Sequence, residues 1–507
     1  MALQDRSRRR AGSELALVAI DLGSSNGRVH LGGLDEDRLV VREIHRFWNG
    51  PVRVAERWYW DILHILNEVE IGLRRATEEA GRAPLSIGVD SFGVDYCFLD
   101  KGEALMASPR HMRDPRTRGL FAEVYKLLPR ETLYRRTGAM EIEINTLLQL
   151  FAERREQPWL QENAHSLLFT PDLIAWSLSG RRVSEVTIAS TSQLVDPATR
   201  NWATDVAERL AIPTRFLNPL IEPGTVIGPV RQQLAASLGL AAESRVVAVA
   251  SHDTSAAVAA APLESATTAF ISLGTWSLLG REIPEPLVSE AACEENFTNE
   301  CGAGNRIVFH KILMGLWLLQ ECRERWTNDH PSLDYDAIHA AAAKEPPLKV
   351  VFDVGDPCFV APGNMLGAID AWFRVRGLPV PRTIGQITRS IYDSLALSYR
   401  AAIEALETVL QSPVRSIHIV GGGTRAPILC QAVADATGRV VLTGPEEAAV
   451  AGNMICQLIA GGMLANLEEG RALVRRSTEI GRYEPSPGDA WNDAFQRLHQ
   501  IAGRKVS

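Results

Sequence analysis

Residues 16–34, "ALVAIDLGSSNGRVHLGGL", place an apolar strand before Asp21, a glycine-containing turn at Gly23 to Gly27, and a second strand-like run. Residues 269–280, "AFISLGTWSLLG", repeat the order strand, Leu-Gly turn, hydroxyl residue, strand. One local pattern near the start of each half predicts two related domains of α/β class. A chain of 507 residues is long enough to bury more than one core. The expected boundaries are 14–262 for the first domain and 263–480 for the second, because Pro262 is followed by the polar "ESATT". Pro485 and Pro487 after "GRY" mark 481–507 as a tail or terminal helix.

Composition narrows the classes of function. An apolar content of 46% with 22% charged residues describes a globular chain, and a net charge of -8 offers no broad cationic surface for nucleic acid. The basic "RSRRR" near the N-terminus reads as a solvated arm. No secretory segment follows it, since "ELALVAIDLGSS" turns polar after a strand length, and no stretch is apolar enough for a membrane span. Seven scattered cysteines include no paired CxxC units, so a cytoplasmic location is expected, with the thiols serving as small core residues.

The turns themselves carry chemistry. GxxxxGK[ST] is missing, and the glycines after Ile20 do not make GxGxxG. Phosphate can instead be held by backbone amides around Ser24, Ser25, Asn26 and Gly27, with Arg28 adding positive charge. Asp21, at the end of a strand, suits either a hydrated Mg²⁺ ion or an Asx-type turn cap. Thr275 behind Gly274, and Gly421 to Gly423 behind "IHIV", offer two further glycine turns after strands. Either they are structural turns or they form the second wall of a nucleotide site.

Residues 247–260, "VAVASHDTSAAVAA", set His252, Asp253 and Thr254 between apolar runs. Asp253 is placed to accept the proton of a substrate hydroxyl during phosphoryl transfer, with His252 and Thr254 positioning the substrate. Equally, Ser251, Asp253 or Thr254 could cap the alanine-rich helix that follows. Asp90 and Asp95 flank a glycine bend, where they bind sugar hydroxyls or satisfy turn amides; His45, His111 and His310 lack metal-ligand spacing and read as core or surface histidines. Residues 385–410 form the clearest amphipathic helix, with its tyrosines and leucines assigned to the core.

The ordered set "VAIDLGSSNGRV", "REIHRFWNG", "IGVDSFGVDYCFLD", "NTLLQL", "VAVASHDTSAAV", "SLGTWSLLG", "TNECG", "MGLWLLQ" and "HIVGGG" covers residues 16–460 approximately. In these segments the chain resembles the FGGY carbohydrate kinase family, most of all its branch acting on L-rhamnulose. The resemblance implies two ribonuclease-H-like (actin-like ATPase) domains with a central cleft, the first mainly sugar-binding and the second mainly ATP-binding. It implies ATP and Mg²⁺ as cofactors, and phosphorylation of L-rhamnulose to L-rhamnulose 1-phosphate by a monomer or small homo-oligomer. The alternatives are a kinase for L-fuculose, xylulose or a polyol, and a non-catalytic ATP-binding sensor.

Carried over residue by residue, the resemblance assigns phosphate binding to Ser24, Ser25, Asn26, Gly27 and Arg28, and the cation-side carboxylate, acting through water, to Asp21. It assigns sugar contact to Gly93, His252, Asp253 and Thr254, with Asp253 the proton acceptor, and ATP contact to Thr275, Gln320 and Gly422. Asn145 is expected either to shape the sugar pocket or to bond its own turn. Ile312 and Ala426 stand where the family carries asparagines.

Overall fold

The computed structural model describes residues 16–360 and 362–501, so the basic "RSRRR" segment lies outside the described residues. Two compact units emerge. The first gathers the described residues up to Pro262 with 283–309 and 448–478; the second holds 263–282, 310–447 and the described residues from 479 onward.

The first unit is built on a sheet of β1 (Leu17–Leu22), β2 (Asn26–Asp35), β3 (Arg38–Trp48), β4 (Ser86–Ser91), β5 (Val226–Pro229) and β6 (Arg245–Val247), in the order β5-β6-β4-β1-β2-β3. β1 runs antiparallel to β2 and parallel to β4, and β4 runs parallel to β6. As a central strand β1 is buried at every position, which is why it reads up to Asp21 as a continuous apolar run rather than an alternating one. Val18, Ile20 and Leu22 pack with Ile65, Val69 and Leu73 of the helix Ile62–Ala80. Leu17 and Ala19 enter a second cluster with Ala256, Val450 and Met454. By the two-residue period of a strand, Asp21 falls on the face of Leu17 and Ala19.

That second face explains why the unit is discontinuous in sequence. The helix Ala448–Ala460 lies against β1, β4 and the helix Asp253–Ala260. Its small residues permit the approach: a Cβ on Gly452 would sit 1.9 Å from the Ala256 carbonyl oxygen. No larger residue is accommodated there without moving a helix backbone.

In the second unit six strands of a seven-stranded sheet run β9-β8-β7-β10-β11-β12, with β7 (Thr268–Leu273), β8 (Trp276–Ile283), β9 (Ile307–Met314), β10 (Ser416–Val420), β11 (Val440–Thr443) and β12 (Gly481–Tyr483). β7 is antiparallel to β8 and parallel to β10, β10 is parallel to β11, and β12 closes the edge antiparallel to β11. The strand order and the central directions match those of the first unit. Helix Ile384–Leu410 begins at Thr383, whose hydroxyl caps Gln386 N at 3.1 Å, and buries Tyr392, Leu395 and Tyr399 completely. Residues 481–501, expected as a tail or terminal helix, supply the edge strand β12 and the helix Ala490–Ile501, which buries Trp491 and Phe495. Among the described residues no helix is long and apolar enough to cross a membrane. The seven cysteines are unbridged, and only Cys358 is exposed.

Candidate active site

Backbone hydrogen bonds draw three segments of the first unit together. Phe92 N donates to Leu22 O at 3.1 Å, and Ser91 N to Ser251 O at 2.9 Å, so the ends of β1 and β4 and the 251–253 segment lie side by side. The turn after β1 closes through Gly23 N to Asn26 O (2.9 Å). Asn49, the asparagine of "RFWNG", clamps it with Nδ2 on Gly23 O at 2.7 Å and its own amide on Ser25 O at 3.2 Å. Gly27 is required because a Cβ would fall 2.2 Å from the Phe47 ring. Ser24, Ser25, Asn26, Gly27 and Arg28 thus occupy one rigid turn and the start of β2.

The parallel register sets Asp21 beside Asp90, and the antiparallel register sets Asp21 opposite Arg28, whose guanidinium bonds the Asp21 carboxylate. Burial raises the Asp21 pKa, with Arg28 opposing and Asp253 adding to the rise. Asp90 is wholly buried; burial and the Asp21 charge hold its pKa well above the usual carboxylate range. A polar chain supports it: Ser86 Oγ donates to Gln457 Oε1 (2.6 Å), Gln457 Nε2 to Asn453 Oδ1 (2.7 Å), and Asn453 Nδ2 to Asp90 Oδ2 (2.6 Å). Asp90 Oδ1 has no hydrogen-bond partner. Hard oxygen donors with an orphaned carboxylate oxygen fit Mg²⁺, which keeps much of its water shell and needs only one or two protein carboxylates. Among the described residues no group of three or more His, Cys, Asp or Glu forms a ready cage.

The structure corrects the capping assignment at the triplet. His252, not Ser251, Asp253 or Thr254, occupies the N-cap position of the helix Asp253–Ala260, and its side chain makes no capping bond. Ser251 Oγ turns back to Val249 O (3.2 Å), while Thr254 Oγ1 donates to Asp253 Oδ1 (3.2 Å). The backbone is held from outside instead. Glu185 caps the short helix Val186–Ser190 through Thr187 N and Ile188 N, and its Oε2 also accepts Ser251 N at 3.0 Å. Thr187 Oγ1 accepts His252 N at 3.2 Å. Relieved of capping, the Asp253 side chain is 35% exposed beside the buried His252 (9%) and Glu300 (7%).

His252 bridges two carboxylates, with Nδ1 2.7 Å from Glu300 Oε2 and Nε2 3.5 Å from Asp253 Oδ1. Burial pushes its pKa down, but the Glu300 charge and hydrogen bond, aided by Asp253 and Glu185, lift it to about 9. Desolvation raises the Asp253 pKa and the His252 charge opposes that rise.

At the other rim, Asp95 N donates to Gly93 O at 3.0 Å, closing a γ-turn over Val94 at φ +70°. A β-branched residue in that region is strained, at a cost on the order of 1–3 kcal/mol. Thr191 braces the bend: its Oγ1 accepts Val94 N at 3.1 Å, and a Cβ on Gly93 would come within 3.1 Å of it. Asp95 is spent inside the fold on Trp60 Nε1 (2.5 Å), Met112 N (2.9 Å) and Gln149 Nε2 (2.9 Å). Asn145 likewise bonds locally, to Met140 O and Gln193 Oε1. His45, His111 and His310 are buried, His45 with Nε2 on Glu68 at 2.6 Å.

The remaining expected residues belong to the second unit. The Gly274–Thr275 turn meets the start of the helix Trp317–Asp329 through Leu316 N to Gly274 O (2.9 Å) and Trp317 N to Thr275 O (3.1 Å). Gln320 follows one turn into that helix, its amide on Leu316 O at 2.9 Å. The glycine run packs on the end of β7: a Cβ on Gly423 would lie 2.1 Å from the Leu273 side chain, whereas Gly422 faces open space. Thr275, Gln320 and Gly422 therefore sit on segments around the end of β7. Ile312 lies within β9, and Ala426 is the buried N-cap residue of the helix Pro427–Thr437.

Glu185, Glu300, Asn49 and Asn453 escaped the sequence reading as site residues. "TNECG" and "RFWNG" were visible as motifs, but nothing local announced Glu185 or Asn453, which act through distant backbone and side chains.

Both units have counterparts among known proteins. The N-terminal domain profile of the FGGY family of carbohydrate kinases matches residues 16–259, and the C-terminal domain profile of the same family matches 269–461. A rhamnulokinase of Oceanobacillus iheyensis is 35% identical over 466 residues, covering 92% of this chain and 97% of its own. A rhamnulokinase of Pectobacterium carotovorum subsp. carotovorum is 39% identical over 490 residues, 96% of each chain. In three dimensions the chain is similar to a ligand-bound xylulose kinase from Lactobacillus acidophilus, with TM-score 0.79, 14% identity, and coverage of 96% of this chain and 98% of that one. A Plasmodium falciparum glycerol kinase with ADP gives TM-score 0.76 at 13% identity, covering 95% and 98%. These structural likenesses establish a two-domain α/β fold of this architecture.

Proposed function

The chain belongs to the FGGY family of carbohydrate kinases, and from that premise we propose that it phosphorylates L-rhamnulose on the 1-hydroxyl, producing L-rhamnulose 1-phosphate and ADP. As a member it is an ATP-dependent carbohydrate kinase. The observation that carries the choice of sugar is the 35% and 39% identity to rhamnulokinases across more than nine-tenths of each chain.

In this reading the ketose contacts Gly93, His252, Asp253 and Thr254 in the first unit, and Ser24, Ser25, Asn26, Gly27 and Arg28 hold the phosphate to be transferred. Thr275, Gln320 and Gly422 of the second unit contact the nucleotide. The 1-hydroxyl oxygen bonds the γ-phosphorus as the bond to the β–γ bridging oxygen breaks; the electron pair leaves with ADP, and the hydroxyl proton passes to Asp253. Asp21 would hold Mg²⁺ through water, and the ion would supply neutralisation of phosphate charge. Asp253 suits its part because its carboxylate is partly exposed, carries no capping duty and lies beside the His252 imidazole.

The test is ADP formation with Mg²⁺-ATP across L-rhamnulose, L-fuculose, xylulose and glycerol. L-Rhamnulose is expected to give a kcat/KM at least ~10-fold above the others. A different preferred acceptor overturns the substrate; tight ATP binding with no sugar-stimulated turnover overturns catalysis in favour of a sensor.

A further inference from the structure

The His252 imidazole that flanks Asp253 also meets a carboxylate that no step of the reaction consumes. Glu300 sits on the strand Thr298–Cys301, whose last residue is tied on both sides: Cys301 N donates to Ser190 Oγ at 3.0 Å, and Cys301 O accepts from Ser255 Oγ at 3.4 Å. Buried and so anchored, the Glu300 carboxylate meets His252 Nδ1 at 2.7 Å, within the range of a charge-assisted hydrogen bond.

Resting on the phosphoryl-transfer reading above, we propose that Glu300 is a positioning residue: it fixes the His252 ring with hydrogens on both nitrogens, so that Nε2–H anchors Asp253 Oδ1 and leaves Oδ2 to face the substrate hydroxyl. An ionised carboxylate only accepts, so Nδ1 must carry a hydrogen. A neutral ring of that tautomer would turn the Nε2 lone pair toward Asp253 Oδ1 at 3.5 Å, an acceptor against an acceptor. A hydrogen on Nε2 as well removes the conflict and places a cation between two carboxylates. The third carboxylate facing the ring, Glu185, is occupied by Thr187, Ile188 and the Ser251 amide.

A residue that merely held the 298–301 strand would leave the imidazole unaffected, and this separates the two roles. The protein labelled with ¹⁵N-histidine is studied without nucleotide or sugar at pH 7.5, with the His252 resonances assigned by their loss in His252→Gln. The wild-type ring should show two protonated nitrogens; in Glu300→Gln at least one should lose its hydrogen, and Glu300→Asp should recover part of the doubly protonated signal. In steady-state assays Glu300→Gln should lower kcat on the order of 10–100-fold with the KM for ATP unchanged, and Glu300→Asp should restore part of it. A wild-type His252 with one bare nitrogen overturns the proposal, as does Glu300→Gln with unaltered His252 signals or wild-type kcat. The wild-type spectrum decides even if Glu300→Gln does not fold. Because the spectra need no substrate, a protein that phosphorylates none of the sugars would sink the proposed reaction while leaving the His252 signature to be judged separately.

Discussion

β1 and β7 are counterparts, each central in its sheet, each antiparallel to the next strand and parallel to a later one. Their turns nevertheless carry opposite chemistry. Asp21 stands at the end of β1 where Ser272 stands in β7, and the parallel partner of Asp21 is Asp90 where that of Ser272 is Val420. Burying two adjacent carboxylates is unfavourable, as the raised pKa of both shows. The second unit demonstrates that the same corner closes with a serine and a valine. The carboxylates of the first unit are therefore not demanded by the fold, and under the proposed function the phosphate and cation to be handled there account for them. The second corner, with a hydroxyl, glycines and backbone amides, suits a ligand held by neutral donors.

The largest effect should come from Asp253→Asn, which keeps the shape of the first unit's corner but removes its proton acceptor. A kcat loss of roughly 10²–10⁴ is expected, with thermal midpoint and ATP binding close to wild type. Near-normal kcat would remove Asp253 from its role and much of the contrast between the units with it.

Next in size is Asp21→Ser, which writes the second unit's residue into the first. Sugar-dependent ADP formation should fall by about 10-fold or more, while stability in urea should fall by no more than about 3 kcal/mol, because the lost ion pair with Arg28 is offset in part by relief of the Asp21–Asp90 repulsion. A collapse of stability would show that Asp21 is structural and break the comparison.

A pH series sharpens it further. A histidine whose pKa rises on folding from 6.5 to about 9 contributes stability that is complete below about pH 6.5 and is lost as pH rises through about 9. Unfolding free energies of wild type from urea titrations should decline across that window by an amount on the order of 1–3 kcal/mol. In Glu300→Gln the decline should be flattened; an equal slope in both would disconnect His252 from Glu300.

Thr275→Val should do least. Loss of one hydroxyl contact is worth about 0.5–1.5 kcal/mol, so the KM for ATP should rise roughly 2- to 10-fold with little change in stability. A fall in kcat as large as that of Asp253→Asn would mean that the second corner takes part in the chemistry and is not a neutral binding wall.

Much of this contrast could be read before any coordinates. The paired strand–turn–strand segments, the long helix at Ile384–Leu410 and the His252–Asp253–Thr254 triplet all stand where their local patterns indicated. The cap of the 253–260 helix could not be read, because several hydroxyl and carboxylate side chains were adjacent and all had the right chemistry. In the fold His252 takes the N-cap position without a side-chain cap, and Glu185 holds the Ser251 amide just before it from a segment 66 residues away. Asp95 and Asn145 illustrate the same ambiguity: each had a plausible sugar role, and each is occupied by partners within the fold.

Strand and helix propensity, glycine turns and apolar periodicity are properties of neighbours in the chain, so they specified the elements, the two-part organisation and the residue types available for phosphoryl transfer. The state of those residues depends on groups far away in sequence. Helix 448–460 reaches the first unit because Gly452 lets it settle on Ala256, and it brings Asn453 to Asp90. Glu300 finds His252 across 48 positions. Hydrogen-bond partners, burial and the field of neighbouring charges exist only once these segments are packed, and they turn "SHDT" from a set of candidates into one exposed carboxylate beside a clamped imidazole.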